Sequence, residues 1–365
     1  MQTSQEAISP KSECRFPFLD GIRGIAAIAV VMVHTGIPFW GFSLARGTLA
    51  VDLFFLLSGF VIAYAYLGKL DDHEITPLQF MKIRIIRLYP VYFISIILAL
   101  SCSIISLSAG KDAHALCKQT VFVAILTAFF IPSRTPGEIF LFSINKPYWS
   151  LFYEIIINGV FSFSNKFFKK SIYLYIAFLV TGLLFARMAM KYQTSNIGMA
   201  IIRASVIGGI CRSFFGICYG VILYRYRSRL LPIIARWISP WTALCFVTLV
   251  LFSPSINHFD GFIDFIAIVL IFPISILAMS KVYQSRADKV LFALGSISYP
   301  LYLLHYPFVK LLNNTGASWI SSHAPWTGIL FVILTSFISY WVEKAYDIPI
   351  RKYLSSRFNQ LGYKK

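Results

Sequence analysis

The chain has 365 residues, 58% hydrophobic and 17% aromatic, with 13% charged and a mean hydropathy of +0.71. Soluble domains carry about 45–50% apolar and about 25% charged residues. This composition therefore excludes a soluble enzyme, a disordered chain and a fibrous protein, and leaves an all-α polytopic membrane protein. The net charge of +18 would suit a nucleic-acid partner in a soluble fold. Here the 33 Lys and Arg sit mostly in short segments between apolar runs, where they set membrane orientation, and no nucleic-acid motif accompanies them.

The first 21 residues are polar, so no cleavable signal is expected. Residues 1–17 read as a cytoplasmic segment, and the apolar run from Ile22 as an uncleaved anchor. A membrane helix needs about 20 mostly apolar residues. Spans are predicted near 22–42, 48–67, 89–108, 148–164, 171–190, 199–224, 231–252, 262–282, 296–314 and 326–345. The apolar run 119–132 is shorter, and counting it as a crossing upsets the charge balance. Left on the outer side or re-entrant, it allows about ten spans with both termini inside. The loops holding Lys82/Arg84/Arg87, Lys166–Lys170, Arg225–Arg229 and Lys281–Lys289 then face the cytoplasm, with a basic tail over 348–365. The outer loops at 38–47, 253–261 and 315–325 hold only Arg46 among Lys and Arg.

An ionisable residue at membrane depth costs roughly 2.5–3.5 kcal/mol on insertion scales, so each is a functional candidate. Arg23 and His34 share the first span. Eleven residues turn about 1100°, close to three full turns, so the two share a face about 16 Å apart. That spacing could hold an anionic group at one end while a base works at the other. The bland alternative for His34 is a core histidine bonded to a backbone carbonyl. Asp20, Gly21 and Gly24 flank Arg23, and the glycines permit close approach of a helix or ligand.

In the second span Asp52 and Gly59 lie two turns apart on one side, with Ser58 beside them. Arg84 and Arg87, at i and i+3 before the third span, could clamp phosphates, or could snorkel and only set topology. Glu154 enters its span from outside to about 9 Å. It is expected to orient His34, with a structural pair to Arg203 or Arg212 as the alternative. Ser298, Tyr302 and His305 follow at i, i+4 and i+7, and His305 is a second candidate acid or base. The six cysteines are scattered, no metal-ligand spacing occurs, and no serine-hydrolase or P-loop motif is present.

Taken in order, FLDGIRGIAAIAVVMVHTG, VDLFFLLSGFVI, FMKIRIIRLYPVYF, YWSLFYEI, FFGICYGVIL and LGSISYPLYLLHYPFV, closing in WVEKAY, resemble the acyltransferase family 3 membrane proteins of bacteria. The blocks span about 18–347, which reads as one transmembrane acyltransferase domain. The resemblance implies ten spans in a bacterial cytoplasmic (inner) membrane. It also implies acyl-CoA, usually acetyl-CoA, as donor, and no metal. The acceptor it implies is a carbohydrate hydroxyl on a lipid-linked or surface glycan such as lipopolysaccharide or exopolysaccharide. Arg23 and His34 become the essential pair, and Arg84 and Arg87 the contacts for CoA phosphates. Two departures stand out. The chain is expected to be of the stand-alone type without a fused hydrolase-like domain. The fourth-span block also reads SLFYE where relatives often have a small residue two before the glutamate, so Phe152 and Tyr153 are expected to alter how Glu154 is presented. A transporter or flippase for an anionic lipid-linked saccharide, and a non-catalytic scaffold, are the competing classes.

Overall fold

A computed structural model describes residues 16–107, 113–192, 196–255, 260–282 and 285–362; Cys14 lies outside them. The chain folds as a helical bundle, and β-pairing among the described residues is limited to three isolated bridges. The elements are α1 (Pro17–Thr35), α2 (Ala50–Ile62), α3 (Pro77–Leu107), α4 (Ala113–Ala128), α5 (Tyr148–Phe163) and α6 (Ser171–Tyr192). They continue with α7 (Arg203–Ile234), α8 (Pro240–Leu251), α9 (Asp260–Ile266), α10 (Asp288–Ser322) and α11 (Trp326–Val342). Single π turns extend three of them: α2 through Ala63–Leu67, α9 through Ala267–Ile271 to Met279, and α11 through Glu343–Asp347 to Gly362.

Seven helices among the described residues are long and apolar enough to cross a membrane, fewer than the ten spans expected. Of the other three, α5 has 16 residues, α8 has 12, and α10 breaks its helical dihedrals at Gly316. The run at 119–132 is the helix α4.

The largest boundary correction concerns α3. It begins at Pro77 rather than near 89, so Arg84 and Arg87 stand inside the bundle and not in a loop. The most apolar window excludes the charged turns, yet a helix continues through them because Arg84 is buried and paired with Glu154 on α5. At the other end, Gly36 caps α1 in the left-handed conformation (φ 65°), stopping it at Thr35 where hydropathy suggested 42.

Two close crossings set the frame. A Cβ on Gly24 would lie 2.5 Å from the Leu294 carbonyl oxygen, and one on Gly295 would meet the Asp20 side chain at 2.5 Å, so α1 and α10 touch backbone to side chain. The glycines of α1 serve a neighbouring helix. Likewise α7 carries Gly216 and Gly220 four apart, and Cβ atoms there would strike Phe55 and the Leu56 carbonyl of α2. Ile172, Ile176, Leu179 and Leu183 of α6 are all more than half exposed, as a lipid-facing wall requires.

Between these pairs Arg212 of α7 reaches Asp52 of α2 with two parallel bonds, Nε to Oδ1 at 2.7 Å and Nη2 to Oδ2 at 2.6 Å. Both are buried, and Arg212 also donates to the Ile197 carbonyl and lies 5.4 Å from the Trp149 ring centre. Arg46, the lone Lys or Arg of the expected outer loops at 38–47, 253–261 and 315–325, is likewise buried and paired with Asp260 at 2.5 Å. The cysteines among the described residues are free.

Candidate active site

Two polar cavities stack along α1 and α10. The first, of about 380 Å³, is lined by Asp20, Arg23, Ser58, Arg84, Arg87, Glu154, Ser298, Tyr302, Glu343, Asp347 and Arg351, among others. The second, of about 420 Å³, is lined by His34, Thr48, Lys146, Tyr302, Tyr306, Lys310 and Asn313, among others. Val51 and Tyr302 belong to both walls and form the partition.

The first cavity holds four guanidinium groups. Arg23 meets Asp20 at 3.5 Å, Arg84 meets Glu154 at 2.5 Å, and Arg351 meets Asp347 at 2.9 Å and Glu343 at 3.2 Å. Arg87 makes no ion pair among the described residues. Its planar donor fork therefore lines the cavity without a carboxylate partner. Ser58 donates to Glu154 Oε1 at 2.7 Å, tying α2 to α5.

Glu154 thus does not orient His34. Its carboxylate is held by Arg84 and Ser58, and Arg212 is taken by Asp52. Helical depth along one segment does not specify which neighbour a side chain faces, and the longer α3 supplies a cation that the sequence reading had left in a loop.

In the second cavity the partner of His34 is His305. The rings stack with centres 5.0 Å apart, and His34 Nδ1 lies 2.8 Å from His305 Nε2. His305 Nδ1 lies 2.8 Å from the Leu301 carbonyl oxygen. A carbonyl only accepts, so with both rings neutral the His305 proton is on Nδ1 and its Nε2 accepts. His34 then donates from Nδ1, leaving its Nε2 with the lone pair of a base. The backbone-bonded core histidine considered for His34 is His305, which is fully buried.

The i, i+4, i+7 series on α10 runs through both cavities. Ser298 lines the first, Tyr302 stands in the partition, and His305 backs the second. The Tyr302 hydroxyl lies 2.7 Å from Ser150 Oγ and donates to the Pro147 carbonyl at 3.3 Å. Asp52 lines neither cavity and is structural. Sequence reasoning missed Arg351, Lys146 and Lys310. Arg351 was signalled by acidic residues eight and four positions before it, Glu343 and Asp347, the helical spacing that the ion pairs use. Lys146 is in the loop after α4, and nothing local marks it.

A model of a family described as an acyltransferase domain matches residues 16–344. The chain is 40% identical to "Protein 2 in picA locus" of Rhizobium radiobacter over 159 residues, 40% of this chain and 81% of that protein. It is 25% identical to the peptidoglycan O-acetyltransferase OatA of Listeria monocytogenes, over 92% of this chain and 56% of that one. It is also 25% identical to a putative O-acetyltransferase of Staphylococcus aureus, over 82% of this chain. The chain spans about half the length of these last two relatives. No solved structure matches it. With a matched region that runs from the start of α1 to the π turn of α11, taking in the second cavity and all of the first but Asp347 and Arg351, the chain belongs to the acyltransferase 3 family.

Proposed function

We propose that this protein is a multi-pass O-acyltransferase of a bacterial cytoplasmic membrane. It takes an acyl group, acetyl by similarity to the O-acetyltransferase relatives, from acyl-CoA and places it on a carbohydrate hydroxyl. One observation carries the reading: a four-arginine cavity and a histidine-backed cavity meet at a partition of Val51 and Tyr302.

In this reading the arginine cavity receives the donor from the cytoplasmic side. Arg87 engages its phosphates, and Arg23, Arg84 and Arg351 add field from their paired positions. The acyl end reaches the partition beside Tyr302. In the second cavity His34 Nε2 takes the proton of the sugar hydroxyl as its oxygen attacks the thioester carbonyl. The new C–O bond forms, the C–S bond breaks, and the CoA thiolate recovers the proton from His34. His305 is a positioning residue that fixes the tautomer of His34. Glu154 positions Arg84.

The decisive experiment compares envelope glycans of cells with and without the gene, reading ester-linked acyl groups by mass spectrometry and proton NMR. Esters that depend on the gene support the enzyme. A glycan that is missing altogether, rather than unmodified, would instead make the protein a transporter of the saccharide. A kinetic prediction accompanies it. Losing a charge-assisted contact costs about 1.5–3 kcal/mol, and 1.4 kcal/mol is tenfold. Arg87→Ala should therefore raise KM for acyl-CoA by roughly 10- to 100-fold with kcat nearly unchanged, measured with membranes and labelled acetyl-CoA.

A further inference from the structure

The His34 cavity carries charge that the proposed proton transfer leaves unused. Two half-buried ammonium groups, Lys146 and Lys310, line it, and its wall holds no carboxylate among the described residues. Neither lysine makes an ion pair among the described residues. The field of Glu138 reaches both, but from outside the lining of the cavity. Burial holds the Lys146 ammonium below its usual range, Glu138 opposes this, and Lys310 adds to it. Two like charges in one polar hollow favour an arriving anion.

The two cations are held in place. Lys146 stands in the loop before α5, and its neighbour Asn145 donates from Nδ2 to the Leu303 carbonyl of α10 at 2.8 Å. The same loop is tied to the segment before α7, by the Leu141 N–H to the Met199 carbonyl and the Ile201 N–H to the Ile139 carbonyl, both at 2.8 Å. Lys146 Nζ lies 3.9 Å from the Phe140 ring centre and 5.7 Å from that of Tyr306. Tyr306 in turn stands edge-on to His34, with ring centres 5.4 Å apart. Lys310 follows Tyr306 by four residues, about one turn further along the same face of α10. Both cations therefore flank the ring that borders the base. Asn196 and Asn313 add neutral amides to the wall, which suit hydroxyl groups.

We infer that the sugar acylated here is acidic: a carboxylate or phosphate on it sits against Lys146 and Lys310, and this contact sets a neighbouring hydroxyl of the same sugar at His34 Nε2. The inference rests on the acyltransferase reading and adds to it the charge of the acceptor and the two residues that select it. A neutral sugar would leave two ammonium groups in each other's field with no counter-charge in the cavity. The phosphates of the donor do not supply one, because in that reading they lie in the arginine cavity beyond Val51 and Tyr302. The oxyanion formed at the thioester carbonyl is the other anion of the reaction. Lysines that served it would speed transfer to every acceptor alike, whereas lysines that hold an acidic substituent speed transfer only where the substituent is present.

The test uses membranes containing the full chain, labelled acetyl-CoA, and envelope glycan from cells without the gene as acceptor. Proton NMR should place the new ester on a sugar that carries an acidic group. Portions of the glycan are neutralised in two ways, by reducing carboxylates to alcohols with carbodiimide and borohydride, or by removing phosphates with phosphatase. One treatment should lower kcat/KM for the glycan by roughly tenfold or more, and which one does so names the acidic group. Lys146→Met and Lys310→Met should each bring the rate on untreated glycan down toward that on the neutralised glycan, while Lys310→Arg keeps the preference. Retained acetyl-CoA binding shows that a variant is folded. If either methionine variant loses it, the other variant and the wild-type comparison of treated and untreated glycan still decide the matter. An ester on a neutral sugar, equal wild-type rates on treated and untreated glycan, or folded lysine variants that slow both acceptors equally would each overturn the inference. Each of those outcomes leaves the acyltransferase standing, since the glycan is still esterified. A glycan that gains no ester from the wild-type protein removes the acyltransferase reading, and the acidic acceptor with it.

Discussion

His34→Ala should abolish gene-dependent acyl esters on the envelope glycan while the protein remains at normal abundance in the membrane. The expected loss follows from chemistry: a positioned general base contributes roughly 10²–10⁴ in rate. Folding should survive, because His34 is partly open to its cavity and its one bond, to His305 at 2.8 Å, is replaceable by water. His305→Ala separates positioning from proton transfer. Without the acceptor at its Nδ1, His34 is free to place its proton on Nε2, the atom that must act as base, so kcat should drop with KM for acyl-CoA unchanged. His305→Gln, whose amide oxygen can accept the same bond, should recover part of the rate. The measurement is initial rate with labelled acetyl-CoA, with protein level checked by immunoblot. A His34→Ala protein that still esterifies the glycan at the wild-type rate would remove His34 from the chemistry.

Asp52→Ala should act by another route, costing the fold rather than the reaction. Removing one partner of a buried, doubly bonded ion pair strands the other charge, at a cost of about 3–5 kcal/mol. Arg212 would keep its contacts to the Ile197 carbonyl and the Trp149 ring but lose both carboxylate bonds. Since native stability is typically about 5–15 kcal/mol, a loss of this size should deplete the protein from membranes and lower its thermal midpoint in detergent by many degrees. Asp52→Asn retains one acceptor oxygen and should be milder. A double replacement of Asp52 and Arg212 by apolar residues of similar size should recover much of the stability, since no charge is left buried. An Asp52→Ala protein of normal stability that is inactive would instead place Asp52 in the chemistry.

These two residues show what the sequence made legible. Both are ionisable residues at membrane depth, and that rule also marks Arg23, Glu154 and His305, whereas Arg84 and Arg87 read as an interfacial pair just before the third span. It could not assign partners. Asp52 and Glu154 look alike in a linear reading, yet one is sealed against Arg212 and the other faces a cavity beside Arg84. Partner choice depends on the rotation of α5 and α7 about their axes and on how far α3 extends, and those are fixed by crossings such as Gly220 against Leu56, remote in sequence. The helices were legible as apolar runs, with ends displaced where a helix continues through charge, as at Pro77, or stops at a glycine, as at Gly36. Lys146 and Lys310 escaped because a lysine near a span's end reads as a topology signal, whatever cavity it lines.

The partition at Tyr302 has a meaning for the cell apart from catalysis. A protein hollowed by polar cavities one above the other has only a thin wall, here Val51 and Tyr302, between it and a channel, and a membrane that stores energy as an ion gradient cannot tolerate a leak. Tyr302 is anchored at its hydroxyl by Ser150 and Pro147, and the Phe54 ring stands edge-on against it at 5.7 Å. The plug is thus braced at both its polar tip and its apolar face. In the proposed reaction such a wall would let an acyl group be handed across while protons and ions stay on their own sides.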